Sequence, residues 1–126
     1  MKIRLKQVTD GERVDVNAPV WMHREVYGRA LRFKRDFGYD FVQWPFVRKG
    51  SDIDPSWVGH SFATSEGVID GACAFRYEDR EWVLGWVWVR PERRRSAVLS
   101  ERWPAFVEKY GDFWIRTRCL KPCRLL

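Results

Sequence analysis

Cysteine and histidine are scarce in this chain, and long apolar runs are missing. Three cysteines, Cys73, Cys119 and Cys123, occur in 126 residues. An odd number without the spacing of a disulfide framework makes reduced thiols the expectation. Cys119 and Cys123 lie close together, yet the two histidines stand far upstream, and two sulfurs alone do not make a zinc site. No bound metal is expected. No stretch approaches the ~18 apolar residues of a membrane-crossing helix. The opening residues MKIRLKQV lack the apolar centre of a signal peptide, so a cytoplasmic protein without membrane association is expected. No internal repeat or low-complexity segment is present.

What the chain does have is bulk for a core. A length of 126 residues fits one domain spanning 1–126, with 117–126 as an irregular or truncated tail. Eight Trp and eight Phe supply large side chains for burial, within an ordinary soluble composition of 45% hydrophobic and 32% charged residues. The formal charge of +6 fits either an anionic partner or simple solubility.

Along the chain, residues 2–8 alternate charge with Ile3 and Leu5, the pattern of a short edge strand. Asp10-Gly11 marks a turn, and Asn17 followed by Pro19 reads as a helix start with Asn as the cap. From Val20 to Phe37 the residues Met22, Val26, Ala30, Phe33 and Phe37 recur every three or four positions, which predicts an amphipathic helix ended by Gly38. His23, at the start of this helix, reads as a surface or capping residue rather than a base or ligand. The aromatic segment 39–47, interrupted by Pro45, reads as an irregular packed segment, an edge strand or a substrate-side loop. Asp52 and Asp54 mark a turn and read as solvated acids rather than cation ligands.

Three strand signals follow, at 57–64, 68–77 and 81–89, joined by turns too short for a crossover, so an antiparallel meander is expected. The third is apolar on both faces, with Trp82, Leu84, Trp86 and Trp88 assigned to one side and Val83, Val87 and Val89 to the other. Beyond Pro91 the spacing of Leu99, Trp103, Phe106 and Tyr110 is helical, and Gly111 ends it. Pro104 requires that helix either to bend or to begin near Ser100, which would leave Pro104 in its first turn. Residues 112–116 form a candidate fifth strand, parallel to the third strand of the meander. The fold class expected is a mixed-sheet α+β domain.

The chemistry sits where that apolar strand meets the arginines. A helix start after a strand offers unpaired N–H groups to a phosphate, and Arg93, Arg94 and Arg95 stand there to pair with its oxygens. A solvated basic loop is the alternative. The order of a hydrophobic strand, Val89-Arg90-Pro91 and then Arg94-Arg95-Ser96-Ala97-Val98-Leu99-Ser100 resembles the acyl-CoA-binding segment of the GNAT superfamily of N-acyltransferases. Arg94 matches the first position of the family's pattern, Ala97 stands where a Gly is usual, and Leu99 replaces a second small residue.

The resemblance extends loosely from Val20 to Ile115. It implies a GNAT-like fold and acetyl-CoA as cosubstrate, with the main chain of Trp88 and Val89 on the pantetheine arm. Its pyrophosphate would be received by the amides of Arg94, Arg95, Ser96, Ala97, Val98 and Leu99. The implied reaction is direct attack of an amine, on a small molecule or a protein, upon the thioester carbonyl in a ternary complex. The resemblance leaves the general acid and base unassigned: Tyr77 and Tyr110 qualify only by residue type, Glu92 lies beside the arginines, and Glu78, Asp79 and Glu81 read as solvated. The tail 117–126, which contains no Tyr, departs from the family's usual ending. An inactive GNAT-like binding protein is the alternative function. A basic nucleic-acid-binding module is disfavoured, because the tryptophans alternate along a buried strand.

Overall fold

The computed structural model describes residues 10–64 and 66–115. The strand expected at 2–8 and the cysteines Cys119 and Cys123 lie outside the described residues. The elements run β1 (Arg13–Val14), α1 (Val20–Phe37), β2 (Trp57–Ala63), β3 (Ile69–Glu78), β4 (Glu81–Val89), α2 (Trp103–Tyr110) and β5 (Trp114–Ile115). Single 3-10 turns occupy Gly50–Asp52 and Pro91–Arg93. Among the described residues, no helix is long and apolar enough to cross a membrane.

Helix α1 follows its apolar stripe, with Met22, Val26, Ala30 and Phe33 buried against the sheet. Gly38 ends it in the left-handed conformation, at φ 71°, and its amide bonds the Lys34 carbonyl. The start differs from expectation. Pro19 occupies the cap position without a side-chain cap bond, while the Asn17 amide bonds the Asp15 carboxylate at 2.9 Å. His23 is also not a surface group. It is buried, with Nε2 2.7 Å from the Asp15 carbonyl and its ring stacked on Trp44. Segment 39–49 stays irregular and is fastened by indoles, since Trp44 Nε1 donates to the His23 carbonyl and Trp86 Nε1 to that of Gln43. The Asp52 carboxylate accepts from the Arg48 and Lys49 amides, and that of Asp54 accepts from Ser56.

The sheet has the order β1-β2-β3-β4-β5, antiparallel except for β5, which pairs parallel with β4. Asp79 and Arg80, both at positive φ, make the tight turn between β3 and β4. The fold class is therefore the α+β arrangement expected, with α1 over one face and α2 over the other.

The two faces of β4 are not those that strict alternation assigns. Ala74 pairs with Trp86 and Phe75 with Leu84, which leaves Gly85 as an extra residue in β4. Such a bulge moves every later side chain to the opposite face. Trp86 and Trp88 accordingly join the α1 core, whereas Trp82 and Leu84 join Val87 and Val89 under α2. Gly85 itself makes room for Trp57, whose ring atoms would lie 2.8 Å from a Cβ at that position. A second bulge separates Phe62 and Ala63, with Asp70 as the extra residue on β3.

Beneath α2 the core contains a polar pair. His60 is fully buried, with Nδ1 3.1 Å from the Gly11 carbonyl and Nε2 2.5 Å from the Tyr110 hydroxyl. A carbonyl only accepts, so Nδ1 carries the proton and Tyr110 donates to Nε2. Burial pushes the His60 pKa down from 6.5 to about 4 and raises those of Tyr110 and Cys73.

Two outcomes follow. Gly85→Ala will drive Trp57 from its site and cost about 1–3 kcal/mol in urea denaturation. Between about pH 6.5 and 4 the unfolded chain will bind the proton that folded His60 refuses, so stability will fall with pH by up to about 1.4 kcal/mol per unit. Burial also lowers the pKa of His23, which adds a change of the same sign. His60→Gln will remove most of the slope; an unaltered slope would assign it to other groups.

Candidate functional site

The end of β4 and the segment leading to α2 bring the predicted site residues together. Strand pairing carries β4 to Val89, after which the Arg90 amide bonds the Asp70 carbonyl at 2.7 Å. Pro91 then begins a single 3-10 turn, and turns continue through residue 102. No α-helix opens at Arg94. Mixed three- and four-residue bonds hold this stretch, among them Ser96 to Arg93 and Glu101 to Ala97. Pro104 supplies the reason: it has no N–H, and its ring opposes a helical carbonyl four residues back, at Ser100. Regular helix starts only at Trp103, which places Pro104 in its first turn.

Within 94–99 the chain divides by role. Val98 and Leu99 are buried beneath α2, while Arg95, Ser96 and Ala97 are exposed. Leu99, which stands at a small-residue position of the resembled pattern, thus points into the core. Among the described residues, the amides of Arg95, Ala97, Val98 and Leu99 reach no main-chain acceptor. Unspent amides in a turn are suited to an anion.

The arginines are less free than their sequence suggests. Arg94 Nη2 donates to the Asp36 carboxylate at 2.6 Å, and its Nε donates to the Val89 carbonyl at 2.7 Å. The same Asp36 oxygen accepts from Trp88 Nε1 at 2.8 Å, and the Arg94 guanidinium lies 5.9 Å from the centre of the Trp88 ring. The Trp88 bond, with Arg94 beside it, holds the Asp36 carboxyl below its usual pKa against the opposing effect of burial. Arg93 lies 3.6 Å from the nearly buried carboxylate of Asp70. Arg95 alone of the three makes no ion pair among the described residues.

The acid and base candidates stand elsewhere. Tyr77 packs at a tilt against Trp82, its partner across the strands, which lies seven residues before Val89, or roughly 20 Å along a strand. Tyr110 spends its hydroxyl on His60 beneath α2. Glu92 pairs with Arg90 at 3.8 Å, and Glu78 with Arg76 at 4.0 Å. Asp79 lies in the tight turn, and Glu81 is exposed beside it.

Sequence reasoning missed Asp36 and Asp70. Asp36 belongs to the exposed face of α1 and lies 58 residues from Arg94, so periodicity gives no sign of their bond. Asp70 acquires its position from a bulge.

No protein-family model matches the sequence, and no curated protein matches it. Solved structures do resemble it. The xEco2 acetyltransferase domain aligns with a TM-score of 0.62 at 16% identity, covering 95% of this chain and 85% of that one. The ribosomal-protein-alanine N-acetyltransferase from Brucella melitensis biovar Abortus 2308 gives 0.58 at 12% identity, over 94% of this chain and 88% of that one. An aminoglycoside acetyltransferase from an uncultured soil metagenomic sample gives 0.53 at 14% identity, covering 89% and 80%. At such identities the likeness is one of fold, and the fold is that of the GNAT acetyltransferases.

A double-mutant cycle will measure the clasp around Trp88. Asp36→Ala and Arg94→Ala should each cost about 1 kcal/mol by urea denaturation, because the pair is partly exposed. The double variant should cost less than the sum of the two; full additivity would show that the residues do not interact.

Proposed function

We propose that the protein is an acyl-CoA-dependent N-acyltransferase that moves an acetyl group from acetyl-CoA to an amine of a small molecule or protein. The observation that carries this reading is the unit formed by β4, the turn at 90–102, α2 and the parallel β5, within a fold shared with acetyltransferases. One of those neighbours is an acetyltransferase domain bound to a K105-CoA conjugate, which supports a CoA-type cosubstrate.

In this reading the main chain of Trp88 and Val89 lies along the pantetheine arm. The Val89 carbonyl already accepts from Arg94, and a carbonyl oxygen carries a second lone pair besides. The pyrophosphate falls to the amides of Arg95, Ala97, Val98 and Leu99, with the hydroxyl of Ser96 nearby and the exposed Arg95 side chain as the charged partner. Arg94 acts from behind, fixing the strand end to α1. The cosubstrate supplies the activated thioester. An amine that has lost its proton to water or a base attacks the thioester carbon, and CoA departs as the thiolate. Among the described residues the chain contributes positioning, which alone supplies a large share of a bimolecular acceleration. The reaction would take place in the cytoplasm.

The tie of the Tyr110 hydroxyl to His60 and the distance of Tyr77 from the end of β4 favour a second reading, a protein that holds CoA without turnover. A nucleic-acid module gains nothing from Trp44, Trp57, Trp86 and Trp88, which are all buried.

Calorimetric titration with acetyl-CoA tests the proposal. Saturable binding is expected, with about 2.7 kcal/mol of added stability at a hundredfold excess over Kd. Arg95→Ala should weaken binding about tenfold. No heat and no rise in Tm at millimolar ligand would overturn it. Thiol release in the presence of amines separates the transferase from the silent binder.

A further inference from the structure

We propose that Arg29, Arg32 and Arg90 form a second anion site, on the α1 side of the sheet, that takes a phosphate monoester. Arg29 and Arg32 are three residues apart on α1 and therefore neighbours on its surface. The Arg32 guanidinium lies 5.6 Å from the centre of the Trp88 ring, and Arg90 follows two residues beyond Trp88, just past the end of β4. Arg90 is anchored there by its amide on the Asp70 carbonyl and by Nη2 on the Ile69 carbonyl, both at 2.7 Å.

These arginines differ from the satisfied ones in the same molecule. Arg94 and Arg102 each meet a carboxylate within hydrogen-bond distance, at 2.6 and 2.7 Å. By contrast, among the described residues Arg29 pairs only with Glu25, at 4.0 Å, although its side chain is four-fifths buried. Arg90 reaches Asp70 at 4.0 Å and Glu92 at 3.8 Å, both at the outer limit of an ion pair. Arg32 makes no ion pair among the described residues. Burial pushes the Arg29 guanidinium below its usual pKa; Glu25 opposes that, and the nearby charges of Arg32 and Arg90 add to it. Like charges gathered in this way repel, and the carboxylates of Glu25, Asp70 and Glu92 stand at 3.8–4.0 Å, beyond hydrogen-bond distance.

A phosphate monoester answers that demand better than a carboxylate. It carries close to two charges at neutral pH and three terminal oxygens, which suit forked guanidinium donors arriving from different elements. The nearly buried Asp70 carboxylate lies 4.0 Å from Arg90 and 3.6 Å from Arg93, too far to hydrogen-bond either guanidinium. The site stands independently of the acyl-transfer reading; only the choice between a phosphate on the cosubstrate and one on another ligand rests on it.

The test is calorimetric titration of the whole chain with inorganic phosphate, then with coenzyme A and 3′-dephospho-coenzyme A. Inorganic phosphate should bind saturably. Arg32→Gln and Arg90→Gln should each weaken it about tenfold. Arg32 is exposed, so its variant will keep the wild-type circular dichroism and thermal transition even if the Arg90 variant does not. Absence of saturable phosphate binding, or undiminished affinity in folded Arg32→Gln protein, overturns the proposal. If the arginine variants weaken coenzyme A but not its dephospho form, the 3′-phosphate is the source. Equal binding of both forms, alongside arginine-dependent phosphate binding, assigns the site to a phosphate on another molecule. Phosphate binding with neither nucleotide bound keeps this site and rejects the acyl-CoA reading.

Discussion

One carboxylate oxygen joins the three parts of this molecule that meet at the end of β4. Asp36, in the last turn of α1, accepts from the indole of Trp88 in the sheet and from the guanidinium of Arg94 in the turn beyond it. Arg94 closes the circuit on the Val89 carbonyl. Each donor has few alternatives. The indole is buried, and an unpaired buried N–H costs as much as a lost hydrogen bond. The strand end, the helix end and the anion-facing turn therefore hold a common geometry, and the amides of 95–99 are presented from a fixed base.

Much of this architecture was legible in the sequence because it follows from short-range periodicity. The stripe from Met22 to Phe37 marked α1 along its whole length, Gly38 marked its end, and the three strands emerged within a residue or so of their boundaries. Pro104 marked where α2 becomes regular. The parallel β5 followed from the intervening helix.

What could not be read is whatever depends on an offset or a distant partner. Gly85 looks like one more strand residue, yet it shifts Trp86 and Trp88 to the α1 side, and that shift brings Trp88 to Asp36. Asp70 is likewise a bulge residue, and its carboxylate meets Arg90 and Arg93 only because of that. His60 sat unremarked in a strand, although its bond to Tyr110 spans 50 residues and removes that hydroxyl from any role at the site. The arginines form a visible cluster in the sequence, but their division into pinned and unspent members depends on acids from other elements.

The order of the sheet has a consequence for assembly. Each strand lies beside its neighbours in sequence, so β2, β3 and β4 can zip together through local turns, with little loop entropy to overcome. Strand β5 differs: to lie parallel to β4 it must return across roughly two dozen residues, the stretch that carries the anion-facing turn. The part of the chain that would meet a ligand would then be fixed after the β2–β4 meander, as would β1, which reaches β2 across a still longer stretch. A ligand bound at that turn would act as a clamp on a late-fixed part of the fold.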